Sequence, residues 1–311
     1  MEFQTGFHWY IAVYLFLAGV GAGSIVVASL ADMYDRQKYL SFIKAASVIG
    51  MPLVSIGIFF LYIDLGQGMY KPWLLLLLFV NTTSAIMWGT LILTIFTILS
   101  LLYGAYNLGI LDWFIKKAGF LKIFKPLAAS GFMNWALIIT GILTAGYTAV
   151  LLGVLKAIPF WHQTALPILF IISASSTGIS GAMVVKELFF KEEAHLAKIE
   201  TTHFYLIMLE ILLLIGMLLI ALQGVPEMKF SALALLTGEF AVEFWVFLVL
   251  LGLVVPAVVF AFVEAGKLHV SGGKLVFFEL LVLAGGYFLR HLILHAGVYT
   301  QKFTDYIMIH Y

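Results

Sequence analysis

The sequence predicts an all-α integral membrane protein with eight transmembrane helices, and three observations carry that reading. The 311 residues are 63% hydrophobic and only 11% charged, where a soluble domain carries roughly 25% charged residues; the mean hydropathy is +1.09. Apolar stretches of spanning length, for which about 20 residues suffice, recur eight times. The lysines and arginines between them favour alternate loops, the pattern left when one side of a membrane protein faces the cytoplasm.

In chain order the spans cover 9–31, 41–63, 73–102, 126–155, 164–186, 202–222, 241–263 and 275–299. The first eight residues contain no Lys or Arg, so they lack the basic segment of a cleavable signal peptide and the first span is expected to be retained. That span carries the small-residue run "LAGVGAGSIVVA". The second closes on "FFLYIDLGQG", which brings Asp64 to its end. Between spans three and four, "YNLGILDWFIKKAGFLKIFKP" mixes Leu, Trp, Phe and Ile with four lysines. It reads as a helix lying in the membrane interface or as an ordinary basic loop. The fifth span is the most polar, with "ISASSTGISGA"; small residues let helices approach closely, so a tightly packed span is expected. The small-residue runs of spans one and five stand four spans apart. They suggest a repeat of two four-helix bundles, 1–155 and 156–311.

Twelve Lys and Arg residues fall in the odd-numbered loops and four on the other side. The odd loops are therefore expected in the cytoplasm and both termini outside it. The net charge of +1 gives nucleic-acid binding no electrostatic support. With no cysteine, the chain holds neither an iron–sulfur cluster nor a catalytic thiol.

Charge inside a bilayer is costly, at least about 2.5–3.5 kcal/mol at mid-membrane, so it marks candidate function. Span eight, "GGYFLRHLILHAGVY", carries Arg290, His291 and His295. At ~1.5 Å per residue, Arg290 falls in the outer half of the membrane. Tyr10 and Tyr14 of span one, Asp64 of span two and Tyr147 of span four are expected at similar depth. Asp64 also fits a span-end role, and the two tyrosines of span one fit an interfacial belt. Glu210 of span six, with His203 seven residues before it on the same face, points toward the cytoplasm. The pair suits either a proton path or a hydrogen-bonded structural acid. His291 and His295 share one helix and cannot take opposite faces of one iron, so no haem is expected.

Five stretches, in order, resemble the NrfD/polysulfide reductase membrane-subunit family: "HWYIAVYLFLAGVGAGS", "YIDLGQGMYKPW", "FVNTTSAIMWGTLIL", "LPILFIISASSTGISGA" and "RHLILHAGVY". The resemblance implies a haem-free subunit in the inner (cytoplasmic) membrane that exchanges electrons with a quinone, menaquinone or ubiquinone. The quinone would sit near the extracytoplasmic surface. The implied partners are a four-cluster ferredoxin-type iron–sulfur subunit and a molybdopterin catalytic subunit outside the membrane, with membrane lipid around the spans. By position, Tyr14 takes the place of a quinone-contacting residue, Asp64 of the acid after span two, and Tyr147 of a span-four tyrosine. Arg290 takes the place of the span-eight arginine and Glu210 that of a span-six acid. Where some members carry Asn and His in span one, this sequence has Ile11 and Tyr14. A quinol needs an apolar slot, polar groups at its two oxygens and an acceptor for two protons. In that reading Tyr10, Tyr14, Tyr147, His291 and His295 surround the ring, Asp64 takes the proton, and Arg290 anchors the polar end of the pocket, holding a carboxylate ionised or stabilising developing negative charge. The competing class is an ion or solute transporter working without partners, since it too would show eight spans, buried charges and a faint repeat.

Overall fold

The computed structural model describes residues 2–64, 84–190 and 196–300, side chains of 61–64, Phe120 and Ala197 excepted. Eight of its helices are long and apolar enough to cross a membrane. They are α1 (Trp9–Asp35), α2 (Leu40–Asp64), α3 (Ala85–Asn107), α4 (Gly131–Gly153), α5 (Ala165–Phe189), α6 (Ala197–Gln223), α7 (Glu243–Glu264) and α8 (Gly273–His295). Each overlaps a span expected from the sequence. The first part of the third span, 73–83, lies outside the described residues.

The start of α4 is set locally. A short helix (Phe124–Ala128) ends at Ala129, and the Ser130 hydroxyl accepts the Met133 N–H at 3.2 Å, an N-cap that satisfies one free donor. The Trp- and Lys-bearing loop before it is helical over Ile110–Lys117. Trp113, Phe114, Ile123 and Phe124 are exposed there. Lys117 lies 3.9 Å over the Trp113 ring, and Lys125 pairs with Asp112 at 2.6 Å. An apolar face beside a lysine rim is the form of an interfacial helix. One further helix, Pro226–Leu236, falls between α6 and α7. Its sequence signal was Pro226 at the first helical position followed by Glu227 in the first turn.

In α7 the backbone is π-helical over Glu243–Val254 and α-helical from Val255. Pro256, without an N–H and with a ring that crowds the Gly252 carbonyl, disfavours the α-helical register where the π-helical stretch ends.

Helix α1 packs against α2, α4, α5 and α8, while α3 packs against α2 and α4. Helix α5 also meets α2, α4, α6 and α8, and α8 lies along α7. The small-residue runs of α1 and α5 face each other. A Cβ at Gly23 would lie 1.8 Å from the Ala174 carbonyl oxygen, and one at Gly178 would lie 2.2 Å from the Ser24 nitrogen. The α1–α5 seam is thus backbone against backbone, which only small residues permit.

The connections sort to two ends. At one end Phe3 bridges Val298, the Gln4 N–H bonds the Gly297 carbonyl at 2.8 Å, and Thr300 N–H bonds Ala157. Phe3 there touches Phe230 and Phe240. At the other end Arg36 joins Asp32 and Asn107, and Thr201 bonds Glu264. The Gly272 N–H bonds Glu187 across 85 residues of sequence. This is the lysine-rich end, which the charge rule assigns to the cytoplasm. The cysteine-free chain makes the assignment testable. Thr5→Cys is expected to label with an impermeant thiol reagent on intact cells, and Lys117→Cys only after permeabilisation. The reverse pattern would invert the topology.

Candidate functional site

Two buried groups are built from the residues singled out above. The first lies among α1 to α4. Tyr14 is wholly buried and its hydroxyl has no hydrogen-bond partner among the described residues. Its ring lies over Gly57 of α2, where a Cβ would sit 3.6 Å away. Tyr147 of α4 is close enough to act on it electrostatically. The Tyr147 ring occupies the space a side chain at Gly89 would take, 1.6 Å from that Cβ position. Gly89 of α3 therefore makes room for the Tyr147 ring, while the Tyr14 ring rests at ordinary contact distance over Gly57. A buried hydroxyl without a partner costs about 1–3 kcal/mol, and Tyr14 can donate to an oxygen of a bound molecule. Asp64 ends α2; its side chain lies outside the described residues. Tyr10, nearer the chain start, bonds His8 Nδ1 at 3.0 Å and stacks on its ring.

The second group lies among α1, α5, α6 and α8. Arg290 is 1% exposed, and its guanidinium donates in three directions. Nε bonds the Leu15 carbonyl at 3.2 Å, and Nη1 bonds the Gly286 carbonyl at 2.7 Å and Ser173 Oγ at 3.1 Å. Its charge also stands 5.3 Å over the Phe170 ring. Glu210, also buried, lies near enough to Ser173 and Arg290 for both to act on its carboxyl. Ser173, which accepts from the cation, therefore stands between the two charges. The space is fitted to the arginine: a Cβ at Gly19 would fall 2.7 Å from Nη2.

Counting Cα positions put Arg290 in the outer half and turned Glu210 toward the cytoplasm. Their charges nevertheless act on each other, because the long arginine side chain reaches toward the start of its helix. In α8 that direction is toward Gly286, one turn deeper than Arg290 itself. Arg290 and Tyr14 are neighbours through α1, yet they face different helices: Tyr14 meets α2 and α4, Arg290 meets α5 and α8.

A polar line continues from Glu210. Ser180 Oγ is 3.2 Å from His203 Nε2, and His203 Nδ1 is 3.5 Å from Glu279 Oε1. All three residues are buried. Ser173 and Ser180 are seven residues apart on α5, as are His203 and Glu210 on the antiparallel α6, so the two faces match pair to pair. His203 and Glu279 line a cavity of about 20 Å³ together with Glu200 and Glu264, room for about one water. Sequence reasoning missed Glu279, which sits within an apolar run. Its signal was the eleven-residue spacing to Arg290, three helical turns that put both on one face of α8.

At the terminal end of α8, the His291 and His295 rings lie 4.4 Å apart. His291 Nε2 stands 3.5 Å from Glu243 Oε2 of α7, an acid that sequence reasoning also missed. Among the described residues, no group of three or more His, Asp or Glu is placed to hold a metal ion.

Comparison with known proteins gives a consistent picture. Residues 1–302 match the family described as "Polysulphide reductase, NrfD". The protein is 32% identical over 307 residues to one of the chains of polysulfide reductase from Wolinella succinogenes, with 93% of each sequence covered. It is 25% identical over 315 residues to protein NrfD of Escherichia coli, covering 94% of this sequence and 95% of that one. To the NrfD homolog of Haemophilus influenzae it is 26% identical over 315 residues, with 93% and 94% covered.

Proposed function

Since the protein belongs to the NrfD/polysulphide reductase family and is a multi-pass membrane subunit of a respiratory oxidoreductase, we propose that it is the quinol-oxidising subunit of its complex. The observation that carries the reading is the Tyr14 hydroxyl, fully buried, without a partner among the described residues and close to Tyr147 among four apolar helices. It offers a donor to one oxygen of a quinol, whose ring and tail suit the apolar walls. Oxidation of the quinol gives up two electrons and two protons. The electrons pass to an iron–sulfur partner of four-cluster ferredoxin type, and from it to a molybdopterin subunit; the Wolinella relative is by name one polypeptide of several, which fits a multi-subunit enzyme. Asp64, at the end of α2, is the proton acceptor in this reading. The quinone, menaquinone or ubiquinone, lies toward the extracytoplasmic side of the inner membrane, and the protein is organised as two four-helix halves. The line Glu210, His203 and Glu279 supplies a second polar route, from the centre of the protein to the lysine-rich end.

A transporter acting alone would also value such a line, but the near full-length match to oxidoreductase subunits favours the electron-transfer reading. Two variants test it. Tyr14→Phe is expected to lower quinol-dependent reduction of the partner about fivefold, the worth of one hydrogen bond near 1 kcal/mol. Asp64→Asn is expected to slow the same reaction, with the complex still assembled. Each is measured against an artificial donor that reduces the partner directly. Unchanged quinol oxidation in both intact complexes would move the site elsewhere.

A further inference from the structure

A second space lies at the lysine-rich end, between α1 and α6, away from both buried groups. It is a groove of about 450 Å³ lined by Val27, Leu30, Tyr34, Tyr39, Lys198 and Leu206 among others. Volumes of 300–1,000 Å³ are typical of ligand sites. The lining changes character along its length. From Val26 to Leu30 the α1 wall is apolar, and it faces Leu206 of α6. Toward Tyr34 it becomes polar and positive.

Three details describe the polar end. Lys198 is exposed, bonds the Tyr34 hydroxyl and lies 4.2 Å over the Tyr34 ring. Lys38 stands 5.6 Å from the Tyr39 ring. Tyr39 is 2% exposed and its buried hydroxyl has no partner among the described residues. The nearby acids do not cancel this charge evenly. Asp32 is engaged by Arg36 and Tyr103, and Asp35 accepts the Lys38 backbone N–H at 3.1 Å. Lys198 and the Tyr39 phenol therefore line the groove where it reaches the end of the helices, and Lys38 stands beside Tyr39. Basic pockets between transmembrane helices bind anionic lipid headgroups.

We propose that this groove is a binding site for an anionic diacyl phospholipid. The phosphate pairs with Lys198 and accepts a hydrogen bond from the Tyr39 hydroxyl, and Lys38 beside Tyr39 adds positive charge. One acyl chain lies along Val27, Leu30 and Leu206. The chemistry selects charge at the headgroup, so phosphatidylglycerol binds and phosphatidylcholine of the same acyl chains does not compete.

The test uses the full-length protein in mild detergent with equal amounts of those two lipids, read by native mass spectrometry. Phosphatidylglycerol is expected to be retained at least about fivefold over phosphatidylcholine, near the worth of one lysine beside anionic headgroups. Lys198→Gln is expected to remove the preference, Lys198→Arg to keep it, and Tyr39→Phe to weaken it. Equal thermal midpoints in phosphatidylcholine would show that the variants are folded; if Lys198→Gln is not, Tyr39→Phe and Lys198→Arg carry the comparison. Equal retention of the two lipids overturns the proposal. So does a preference that survives both Lys198→Gln and Tyr39→Phe, or a bound quinone that displaces phosphatidylglycerol. None of these outcomes depends on quinol oxidation at Tyr14.

Discussion

Arg290→Gln is expected to destabilise the protein by about 3–5 kcal/mol, because it leaves the buried Glu210 without its cation. Glutamine also cannot reproduce three donations at once, to Leu15, Ser173 and Gly286. Lysine is expected to rescue little. Its ammonium keeps the charge but lacks the planar fork that reaches a carbonyl on α1 and a hydroxyl on α5 together. The double variant Arg290→Gln, Glu210→Gln removes both charges, and most of the lost stability is expected to return. Thermal unfolding of the four proteins in one detergent checks this. If the double variant is as unstable as the single one, the two charges are not a pair. The double variant also separates stability from function. Leu15 follows Tyr14 on α1, so the arginine fixes the helix that carries the proposed quinol contact. In an intact double-variant complex, quinol-driven turnover is expected to fall more than turnover from an artificial donor. Equal activities from the two donors would make the pair purely structural.

Gly23→Ala is expected to be the most damaging single-methyl change in the protein, costing more than about 4 kcal/mol. Its Cβ would stand 1.8 Å from the Ala174 carbonyl oxygen and 2.4 Å from the carbonyl carbon. That obstacle is helix backbone, so the clash is relieved only by parting α1 from α5. Losses of that size are uncommon and arise from a short set of causes, overpacking in the core among them. Gly216→Ala in α6 is the control, since nothing lies within 4 Å of its Cβ position. It is expected to be neutral or stabilising by up to about 1 kcal/mol, the helix preference of Ala over Gly. Recovery of folded protein from membranes, by size-exclusion chromatography, measures both. Normal yield of Gly23→Ala would mean that the seam is looser than its geometry.

The spans were legible because bilayer thickness imposes a length that composition can report. The close α1–α5 contact was legible for a related reason: runs such as "LAGVGAGS" and "SSTGISGA" make little sense on a lipid-facing surface. The arginine was recognisable by its insertion cost, but its partner was not. Depth counted on Cα atoms ignores the reach of a long side chain toward the start of its helix, and this set Arg290 and Glu210 at different depths. Glu279 was hidden by its surroundings, a lone acid between "VFF" and "LLVLAG". The π-helical part of α7 has only Pro256 as a signal, and Pro256 by itself also fits a kink. Tyr14 and Tyr147 were nameable, but Gly89, which seats the Tyr147 ring, lies on another helix and shares no local pattern with it.

The Arg290–Ser173–Glu210 arrangement has a consequence for the timing of biosynthesis. Ser173 and Glu210 leave the ribosome first, and their cation follows about 80 residues after the acid. At roughly 5–20 residues per second, Glu210 waits about 4–16 s for Arg290. During that interval α1, whose spanning window is 78% buried in the finished fold, still lacks its α8 neighbour. Helix α8 therefore joins the earlier helices by charge as well as by shape. A nascent polypeptide cut short before α8 carries an unpaired acid in the bilayer, a mark by which the cell's proteases can tell it from the completed protein.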